Sequence, residues 1–479
     1  MSTPFFPQWR PRLAPLGRTI RKLRRASLSE LEAFFATVFP AVLLDPTPSG
    51  PNSRTRVFTQ RRTFWLLLFQ AFKPRTSLRE AVLQLQALLG LHSEQRLDSA
   101  SSAYSQARGR LPVRVLEEAL ELSAEAARRR APDGGSIGGR PVKVVDATSA
   151  QLADTPENQK VFPQPGGQAK GCGFPVMKIM ALFCLASGAI LKVATTSLRC
   201  HDARLFRRLW DWLEKDDILL GDRAFSDYIT LASLPGRGVD VVCRLHQGRS
   251  PNFRRVAKRL GRGDALFEWE RPLQRPKSVT KRQFARVSER ITVRILRVKV
   301  RVPGCRTQKL FLATTLLDPV RYPAGELVEL YRRRWRIELC FRDLKTTMGM
   351  EELRCQSPEM ARKEMLSYLV AHNLVRILMA EAGAKHGVRR EELSFKASID
   401  AVRQFGGAMA RAGSTRTRRR IRKLLYAAIA GNRVPRRPGR REPRAVKRRP
   451  KPYPRLTKPR HLYRDRSHPN RWPPKNPSK

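Results

Sequence analysis

The chain has 479 residues, enough for two or three domains and a sizeable core. Its 95 Lys and Arg residues outnumber its 41 Asp and Glu residues, so the formal net charge is +54. Self-repulsion on that scale favours a polyanionic partner. The length argues against a ribosomal or structural basic protein, and the spread of basic residues along the chain argues against a membrane-surface role.

No targeting or membrane segment is predicted. The N-terminal stretch MSTPFFPQWRPRLAPLGR has basic residues but no apolar segment after them. The longest apolar run, 179–191, is interrupted by Ser187-Gly188 and is too short to cross a bilayer. The seven cysteines form no CxxC pair and no zinc-type spacing. These features predict a reduced, soluble, cytoplasmic protein.

Residues 1–135 are predicted to form a helical N-terminal domain. Apolar residues recur at a spacing near 3.6 in SLSELEAFFATVF, TRVFTQRRTFWLLLFQAF, SLREAVLQLQALL and VRVLEEALELSAEAARRR, and several of these stretches begin at a Ser or Thr cap. Between them lies the polar stretch SASSAYSQARGRLP. The region is interpreted as DNA-engaging, although a helical cap on the next domain explains it nearly as well.

The pattern changes after the loop APDGGSIGGR, and 136–238 is predicted to be α/β. PVKVVDATS is a β-branched run ending in Asp146, FPVMKIMALFCLA and AILKVATTSL are two strands joined at Ser187-Gly188, ARLFRRLWDWLEK is a helix, and DDILLGDRAF is a short strand ending in Asp222. Strand, hairpin, helix, strand is the opening order of an RNase H-like α/β core.

The rest of the chain is predicted to contain three further parts. A β-rich segment over 239–320 interrupts the core, and the second part of the core, over 321–412, carries two long helical patterns. A basic Arg/Pro-rich segment over 413–479 is predicted to be partly disordered. Its last 49 residues, from Gly431, contain 18 Lys and Arg, 2 acids and 11 prolines. We interpret this tail as an electrostatic arm for nucleic acid, with a solubilising tail as the alternative.

One predicted helix, in YRRRWRIELCFRDLK, carries an unusual polar stripe. At about 100° per residue, Tyr331, Arg334, Glu338 and Lys345 fall within an arc of roughly 60°. A neighbouring stripe is apolar and suits packing on a core; it consists of Leu330, Ile337, Cys340, Phe341 and Leu344. A solvated helix with an Arg334–Glu338 pair is the plain alternative. Such helices mix charges of both signs, whereas this one is mostly arginine.

Two further acids are predicted to join Glu338. In an RNase H-like sheet the strands ending in Asp146 and Asp222 lie side by side, so their carboxylates converge at one end. Three carboxylates meeting there can hold two Mg²⁺ about 3.5–4 Å apart for an in-line phosphoryl transfer. Other nearby acids are interpreted as cap, turn or surface residues: Asp154, Asp202, Asp216, Asp217 and Asp227.

These motifs resemble a known family, the bacterial insertion-sequence transposases of the DDE class, in the IS-four-type family with the Tyr-Arg-Glu-Lys signature. The pattern Y-x2-R-x3-E-x6-K is matched in full by Tyr331, Arg334, Glu338 and Lys345. The acid motifs match at Asp146-Ala147-Thr148 and at Gly221-Asp222-Arg223-Ala224-Phe225. The family has a β-rich insertion before its glutamate, and the strand-like sequence before Glu338 agrees with this. The resemblance covers roughly residues 20 to 390 and omits the basic tail.

The resemblance implies a function and roles for individual residues. Asp146, Asp222 and Glu338 would be the catalytic triad that binds two Mg²⁺, with Mn²⁺ able to substitute. Tyr331, Arg334, Lys345 and Arg223 would contact DNA. Trp269 would hold a flipped base during hairpin formation, although a buried strand tryptophan is the commoner case.

The implied protein cleaves the ends of an insertion sequence and joins them to target DNA. Its partners would be the terminal inverted repeats and target DNA, bound by a homodimer on paired ends. It would have no membrane partner and would be located in the bacterial cytoplasm, near the nucleoid. Two alternatives remain open: an inactive relative that only binds DNA, and a metal-dependent nuclease that never joins strands.

Overall fold

The computed structural model describes residues 31–45, 57–90, 100–131, 136–300, 308–435 and 456–463. Its N-terminal part is helical, as the apolar spacing predicts. The helices are α1 (Glu32–Phe35), α2 (Ala41–Leu44), α3 (Gln60–Phe72), α4 (Leu78–Gly90), α5 (Ser102–Arg110) and α6 (Val113–Arg129). The predicted caps are seen at α3, where the Thr59 hydroxyl accepts from the Arg62 amide. Helix α5 was not predicted, because its polar residues show no apolar period.

The centre of the molecule is a ten-stranded mixed sheet. Its strands are β1 (Ser136–Ile137), β2 (Arg140–Gln151), β3 (Val176–Cys184), β4 (Ile190–Ser197), β5 (Ile218–Gly221), β6 (Asp240–Arg244), β7 (Lys258–Gly261), β8 (Asp264–Glu270), β9 (Arg290–Val300) and β10 (Gln308–Thr314). The order is β4-β3-β2-β5-β6-β10-β9-β8-β7, and β1 pairs with β2. Strands β2, β5 and β6 are parallel neighbours, and every other pairing is antiparallel.

Short helices connect these strands. They are α7 (Pro156–Val161), α8 (Asp202–Phe206), α9 (Tyr228–Ser233) and α10 (Lys281–Ala285). The predicted helix in ARLFRRLWDWLEK is shorter than expected, because α8 passes into a 3₁₀ turn at Arg207–Trp212.

The range 239–320, predicted as a β-rich segment that interrupts the core, contributes strands to the central sheet. Strand β6 pairs in parallel with β5, and β10, β9, β8 and β7 continue the sheet from it. A buried ion pair joins Arg294 of β9 to Asp264 of β8 at 2.6 Å. The same guanidinium donates to the Tyr322 carbonyl at 2.8 Å. These contacts fix the added strands to the chain that leads into the next helix.

Alternation along the strands separates two apolar cores, because successive strand residues point to opposite faces. Val144 and Leu220 lie in the larger core, whereas Val145 and Leu219 lie in the smaller one. The larger core also contains Leu68 of α3. The N-terminal helices therefore share one core with this face of the sheet.

Helices α11 (Ala324–Arg333) and α12 (Trp335–Arg342) follow the sheet and lead into a π-helix at Asp343–Thr347. The sequence predicted one continuous helix here. The chain instead breaks at Arg334 and widens into the π turn. The predicted burial of the apolar stripe is confirmed for Leu330, Ile337, Cys340, Phe341 and Leu344, each at most 8% exposed.

Three long helices complete the described fold: α13 (Pro358–His386), α14 (Phe395–Arg411) and α15 (Thr415–Gly431). Helix α13 packs on α6 and α3, and α15 packs on α13 and α14. The basic segment predicted from residue 413 therefore begins with a folded helix. Most of its remainder lies outside the described residues. Within the described ranges, no helix has the length and apolar character needed to cross a bilayer.

Candidate active site

Asp146 and Asp222 lie on neighbouring parallel strands at the same level. The pairing of β2 with β5 ends at Val144 and Leu220, and the same register continued by two residues places Asp146 beside Asp222. Because Val144 and Leu220 belong to the larger core, both acids point to that face of the sheet. Asp222 follows β5 directly, as predicted. Asp146 does not end its strand, because β2 continues to Gln151 along its pairing with β3.

Asp146 is a largely buried carboxyl group. One oxygen accepts from the Ala147 amide at 2.8 Å, and the other lies 3.4 Å from a guanidinium nitrogen of Arg334. Burial raises the pKa of Asp146 to about 6, aided by the nearby Asp222 and Glu338 and opposed by the Ala147 amide and Arg334. The influence of the two other carboxylates indicates that all three acids share one electrostatic site.

Arg334 links the strand acid to the helix acid. Its Nη2 donates to Glu338 at 3.0 Å, while its Nη1 faces Asp146. Its side chain is 13% exposed, and its Nε is buried with no hydrogen-bond partner in the described part of the chain. Burial alone would lower the pKa of Arg334, but Tyr331 and the two carboxylates raise it overall. One buried guanidinium therefore bridges two carboxylates.

Tyr331 lies beside this bridge. The Arg334 guanidinium is 5.7 Å from the centre of its ring, and the ring packs against the larger core. Burial raises the pKa of Tyr331, with Arg334 opposing the shift. The phenol therefore stays protonated at neutral pH and can donate a hydrogen bond.

Lys345 is set apart from the other three residues of the stripe. It lies in the π-helix, whose wider turn departs from the 100° step that placed it in line with Glu338. Its side chain has no ion pair among the residues that the structure describes. It lines a cleft of about 470 Å³ together with Arg75 and Arg354. Glu351 and Glu352 also line this cleft, so the stripe is divided between a carboxylate bridge and a cleft of mixed charge.

Arg223 and Trp269 lie outside the carboxylate bridge. Arg223 is exposed, donates to Gln247 at 2.8 Å and lines a cavity of about 780 Å³ that also includes Asp222 and Arg249. Trp269 is half-buried on β8, and the Arg249 guanidinium lies 4.3 Å from its ring centre. Arg249 therefore stands between this cavity and the tryptophan.

The sequence analysis did not identify the residues that hold α12 on the side away from Asp146. Arg376 of α13 donates to Asp343 at 3.1 Å, to the Cys340 sulfur at 3.3 Å and to His372 at 3.4 Å. Burial, with Arg376, holds the pKa of His372 well below 6.5, so its imidazole is neutral. Arg376 is the only Lys, Arg, Asp or Glu between Glu364 and Glu381. That isolation was the signal available in the sequence.

The five acids set aside by the sequence have structural roles. Asp154 accepts from Gln159, Asp202 pairs with Lys178, Asp216 occupies a turn with φ of 71°, Asp217 pairs with Lys143, and Asp227 caps α9. Asp217 differs from the prediction of a cap, turn or surface residue, because it is fully buried.

The donor set of the site suits a hard divalent cation, since carboxylate oxygens are the ligands that Mg²⁺ prefers. Asp146 and Glu338 already face one cationic group, the Arg334 guanidinium. Across the described ranges, no three His, Cys, Asp or Glu side chains are gathered closely enough to hold a metal ion. The residues therefore fit a metal chemically, and Arg334 occupies the position between two of them.

Comparisons with known proteins indicate the family to which this chain is related. The family described as "Transposase DDE domain" matches residues 137–374, a range that contains both strand acids and Glu338. The chain is 27% identical over 399 residues to the transposase InsG of insertion sequence element IS4 from Escherichia coli K12, covering 81% of this chain and 85% of that protein. It is 36% identical over 64 residues to a putative transposase InsL of IS186A from the same organism, covering 13% and 17% of the two chains.

Among solved structures, the piggyBac transposase in a synaptic complex with hairpin DNA aligns over 87% of this chain and 88% of its own, with 10% identity and a TM-score of 0.44. The family match and the long IS4 alignment confirm the resemblance to the DDE transposases of insertion sequences. The Tyr-Arg-Glu-Lys signature stays a prediction. The chain belongs to the DDE transposases of the IS4 family, which are DNA phosphoryl-transfer enzymes.

Proposed function

We propose that this protein binds the two ends of an insertion sequence, cleaves them in a Mg²⁺-dependent reaction and joins them to target DNA. The observation that carries the proposal is the shared bridge to Arg334, which links an acid on the central strand to an acid on the helix packed over it. The order β4-β3-β2-β5-β6, with β3 antiparallel to β2, supports an RNase H-like core around these acids.

Asp146, Asp222 and Glu338 are the proposed holders of two Mg²⁺, or of Mn²⁺ in its place. When bound, such ions activate the attacking oxygen and stabilise the leaving oxygen of an in-line displacement. The β2–β5 register orients the two strand acids, and α12 brings Glu338 over the same face of the sheet. Arg334 keeps two of these carboxylates charge-compensated and leaves them when it engages a phosphate.

Tyr331, Arg334 and Lys345 are proposed to contact the phosphates near the cut. The phenol donates one hydrogen bond, the guanidinium can donate two, and the ammonium acts as a point charge. Arg223 is a further proposed DNA contact at the mouth of the cavity that includes Asp222. Trp269 is the proposed stacking residue for a flipped base if Arg249 moves off its ring. A homodimer on paired ends would present two such sites.

The test is cleavage and joining of terminal-repeat DNA in the presence of a target plasmid. With Mg²⁺, the wild-type chain is expected to cut the ends and to produce joined product. Glu338→Gln removes one carboxylate charge but keeps the side-chain shape. It is expected to slow cleavage by at least about a thousandfold, since metal-bound charge stabilisation supplies several kcal/mol. Asp146→Asn and Asp222→Asn are expected to behave alike.

A matched control is Glu391→Gln, because Glu391 also pairs with an arginine of α12, Arg336, at 2.9 Å but lies outside the proposed site. It should cut at the wild-type rate. Cleavage by Glu338→Gln at that same rate would contradict the assignment. Cutting without joined product would instead indicate a nuclease, and DNA binding without cutting by the wild type would indicate a binding-only relative.

A further inference from the structure

Helix α15 has one cation-rich face that the catalytic site does not use. In its first nine residues, TRTRRRIRK, it carries six Arg and Lys and no acid. Its other face is buried through Leu425, Tyr426, Ile429 and Ala430. The helix lies beyond residues 137–374, the range of the family match, and outside the carboxylate site.

The six cations divide into two groups by their contacts. Arg418 and Arg422 point inward and are half-buried; they donate to the carbonyls of Ala412 at 3.2 Å and Phe34 at 2.9 Å. The other four are exposed and have no hydrogen-bonded or ion-paired partner within the described ranges. We call these four the α15 stripe: Arg416, Arg419, Arg420 and Lys423. Folding therefore uses the inward pair and leaves the stripe free.

The spacing of the α15 stripe gathers its charges on one side of the helix. The positions are i, i+3, i+4 and i+7, which at about 100° per residue fall within an arc of roughly 100°. Cations at these spacings repel one another. Cations in the first turns also oppose the helix dipole, which favours acids there. The stripe thus opposes the stability of its own helix, and a bound polyanion would relieve that repulsion.

Four exposed cations elsewhere in the fold show the contrasting, ion-paired arrangement. Arg129 pairs with Glu125, Arg237 with Asp211, Arg389 with Glu392 and Lys396 with Asp400, at 2.7–3.1 Å. Helix α15 has no acid that could serve its stripe in this way. The α15 stripe therefore differs from these ion-paired cations, because its four charges lie together on one helix without an acid.

We propose that the α15 stripe is a binding site for the phosphodiester backbone of duplex DNA, separate from the catalytic carboxylates. From Arg416 to Lys423 the stripe covers seven residue-to-residue steps, a length of about 10 Å at 1.5 Å per residue. That length covers about three phosphates of one strand at 3.4 Å each. Arginine and lysine contacts to phosphate carry no base information, so the binding is independent of sequence.

The helix does not fit an acidic membrane surface. A membrane-surface helix inserts its apolar face between lipids, whereas the apolar face of α15 is buried against α13 and α14. The inference goes beyond the proposed cleavage reaction, because phosphate binding at α15 needs neither a metal ion nor a scissile bond.

The test is the salt dependence of DNA binding by the full-length chain, measured by fluorescence anisotropy on a random-sequence duplex without divalent metal. The stripe variant carries Arg416→Gln, Arg419→Gln, Arg420→Gln and Lys423→Gln; glutamine is a good helix former, so α15 should persist. Each lost phosphate contact lowers the slope of log K against log salt by about 0.9, so the expected decrease is about 3 to 4.

A matched control removes the same number and kinds of charges from ion-paired sites, with Arg129→Gln, Arg237→Gln, Arg389→Gln and Lys396→Gln. Its slope should stay within about one unit of the wild type. A second variant, Arg416→Lys, Arg419→Lys and Arg420→Lys, keeps the charges and should keep most of the slope. Circular dichroism of all variants confirms that they are folded.

Equal slopes for the stripe variant and the wild type would overturn the inference, as would equal losses in the stripe variant and the matched control. Binding to vesicles that contain phosphatidylserine tests whether the stripe binds an acidic membrane surface instead of DNA. Vesicle binding that depends on the stripe, with an unchanged DNA slope, would also overturn it. Because no cleavage is measured, failure of the proposed reaction in Glu338→Gln and failure of this inference are observed separately.

Discussion

Helices α12 and α15 are both rich in arginine, but the two regions use their cations in opposite ways. Just before α12, the largely buried Arg334 lies between two carboxylates. On α15, the four residues of the stripe are exposed and have no acid near them in the sequence. The number of cations does not separate the two regions; pairing and burial do. Arg334 is paired with carboxylates of this chain, whereas the α15 stripe is left available to an external polyanion.

Burial explains why the first arrangement is the more sensitive of the two. An unpaired charge is expensive to keep away from water, whereas an exposed cation is already hydrated. We therefore expect substitutions behind and within the α12 site to change stability or rate strongly, and substitutions on exposed basic segments to act mainly through salt-dependent binding.

The largest expected effect is on stability, through Arg376. Arg376→Met would leave Asp343 buried without its main partner, and both side chains are 10% exposed. The free energy of unfolding should fall by about 3 kcal/mol or more, measured by urea denaturation. Arg342→Met is the control, because Arg342 is 65% exposed and 3.9 Å from the same carboxylate. A loss below about 1 kcal/mol in Arg376→Met would show that this pairing does not hold the catalytic helix.

Arg334→Lys tests the bridge itself. An ammonium group cannot present the planar pair of donors that faces Asp146 and Glu338. We expect single-turnover cleavage of end DNA to slow about a hundredfold, comparable to losing one preorganised donor at a catalytic site. Arg336→Lys, two residues along and paired with Glu391, should remain near the wild-type rate. Equal rates in the two variants would show that the bridging Arg334 is no more important for cleavage than the more exposed Arg336.

Deletion of 436–479 extends the comparison to the basic tail, which lies mostly outside the described residues. The deletion removes 17 Lys and Arg but keeps the contact of Asn432 with Ser394. If the tail is an electrostatic arm, the salt slope of DNA binding should fall by at least about 2, a difference of about tenfold in affinity between 50 and 200 mM salt. An unchanged slope would make it a solubilising tail and leave α15 as the exposed basic site.

His372 gives a smaller, pH-dependent effect. Burial and Arg376 hold its pKa well below 6.5 in the folded chain, so below pH 6.5 the unfolded chain binds the extra proton. This contribution to stability is fully present above that pH and is lost as pH falls. Between about pH 7.5 and 5.5 the loss is on the order of 1 kcal/mol.

His372→Asn should remove that part of the pH dependence of urea unfolding. His386→Asn, at the exposed end of the same helix, should keep it. Identical pH dependence in the wild type and His372→Asn would mean that the imidazole is not held neutral.

Much of the fold and of the candidate site was predictable because it depends on sequence patterns within short stretches of the chain. Apolar period identified the helices, β-branched runs identified strands β2 to β6, and the motif spacing selected Tyr331, Arg334, Glu338 and Lys345. Three features were not predictable in this way. The length of β2 beyond Asp146 depends on its pairing with β3, the π turn at Lys345 follows contacts with α13, and α15 needs neighbours on which to bury a narrow apolar face.

The sequence by itself determined the acids, the basic balance and the family, because residue type and spacing are properties of the chain alone. Only the tertiary structure decided which charges are compensated. Arg334 meets Asp146 across 188 positions and Arg376 meets Asp343 across 33, whereas the α15 stripe meets no acid in the described molecule. Charge compensation depends on distance in space and on exclusion of water, and neither can be read from the order of residues.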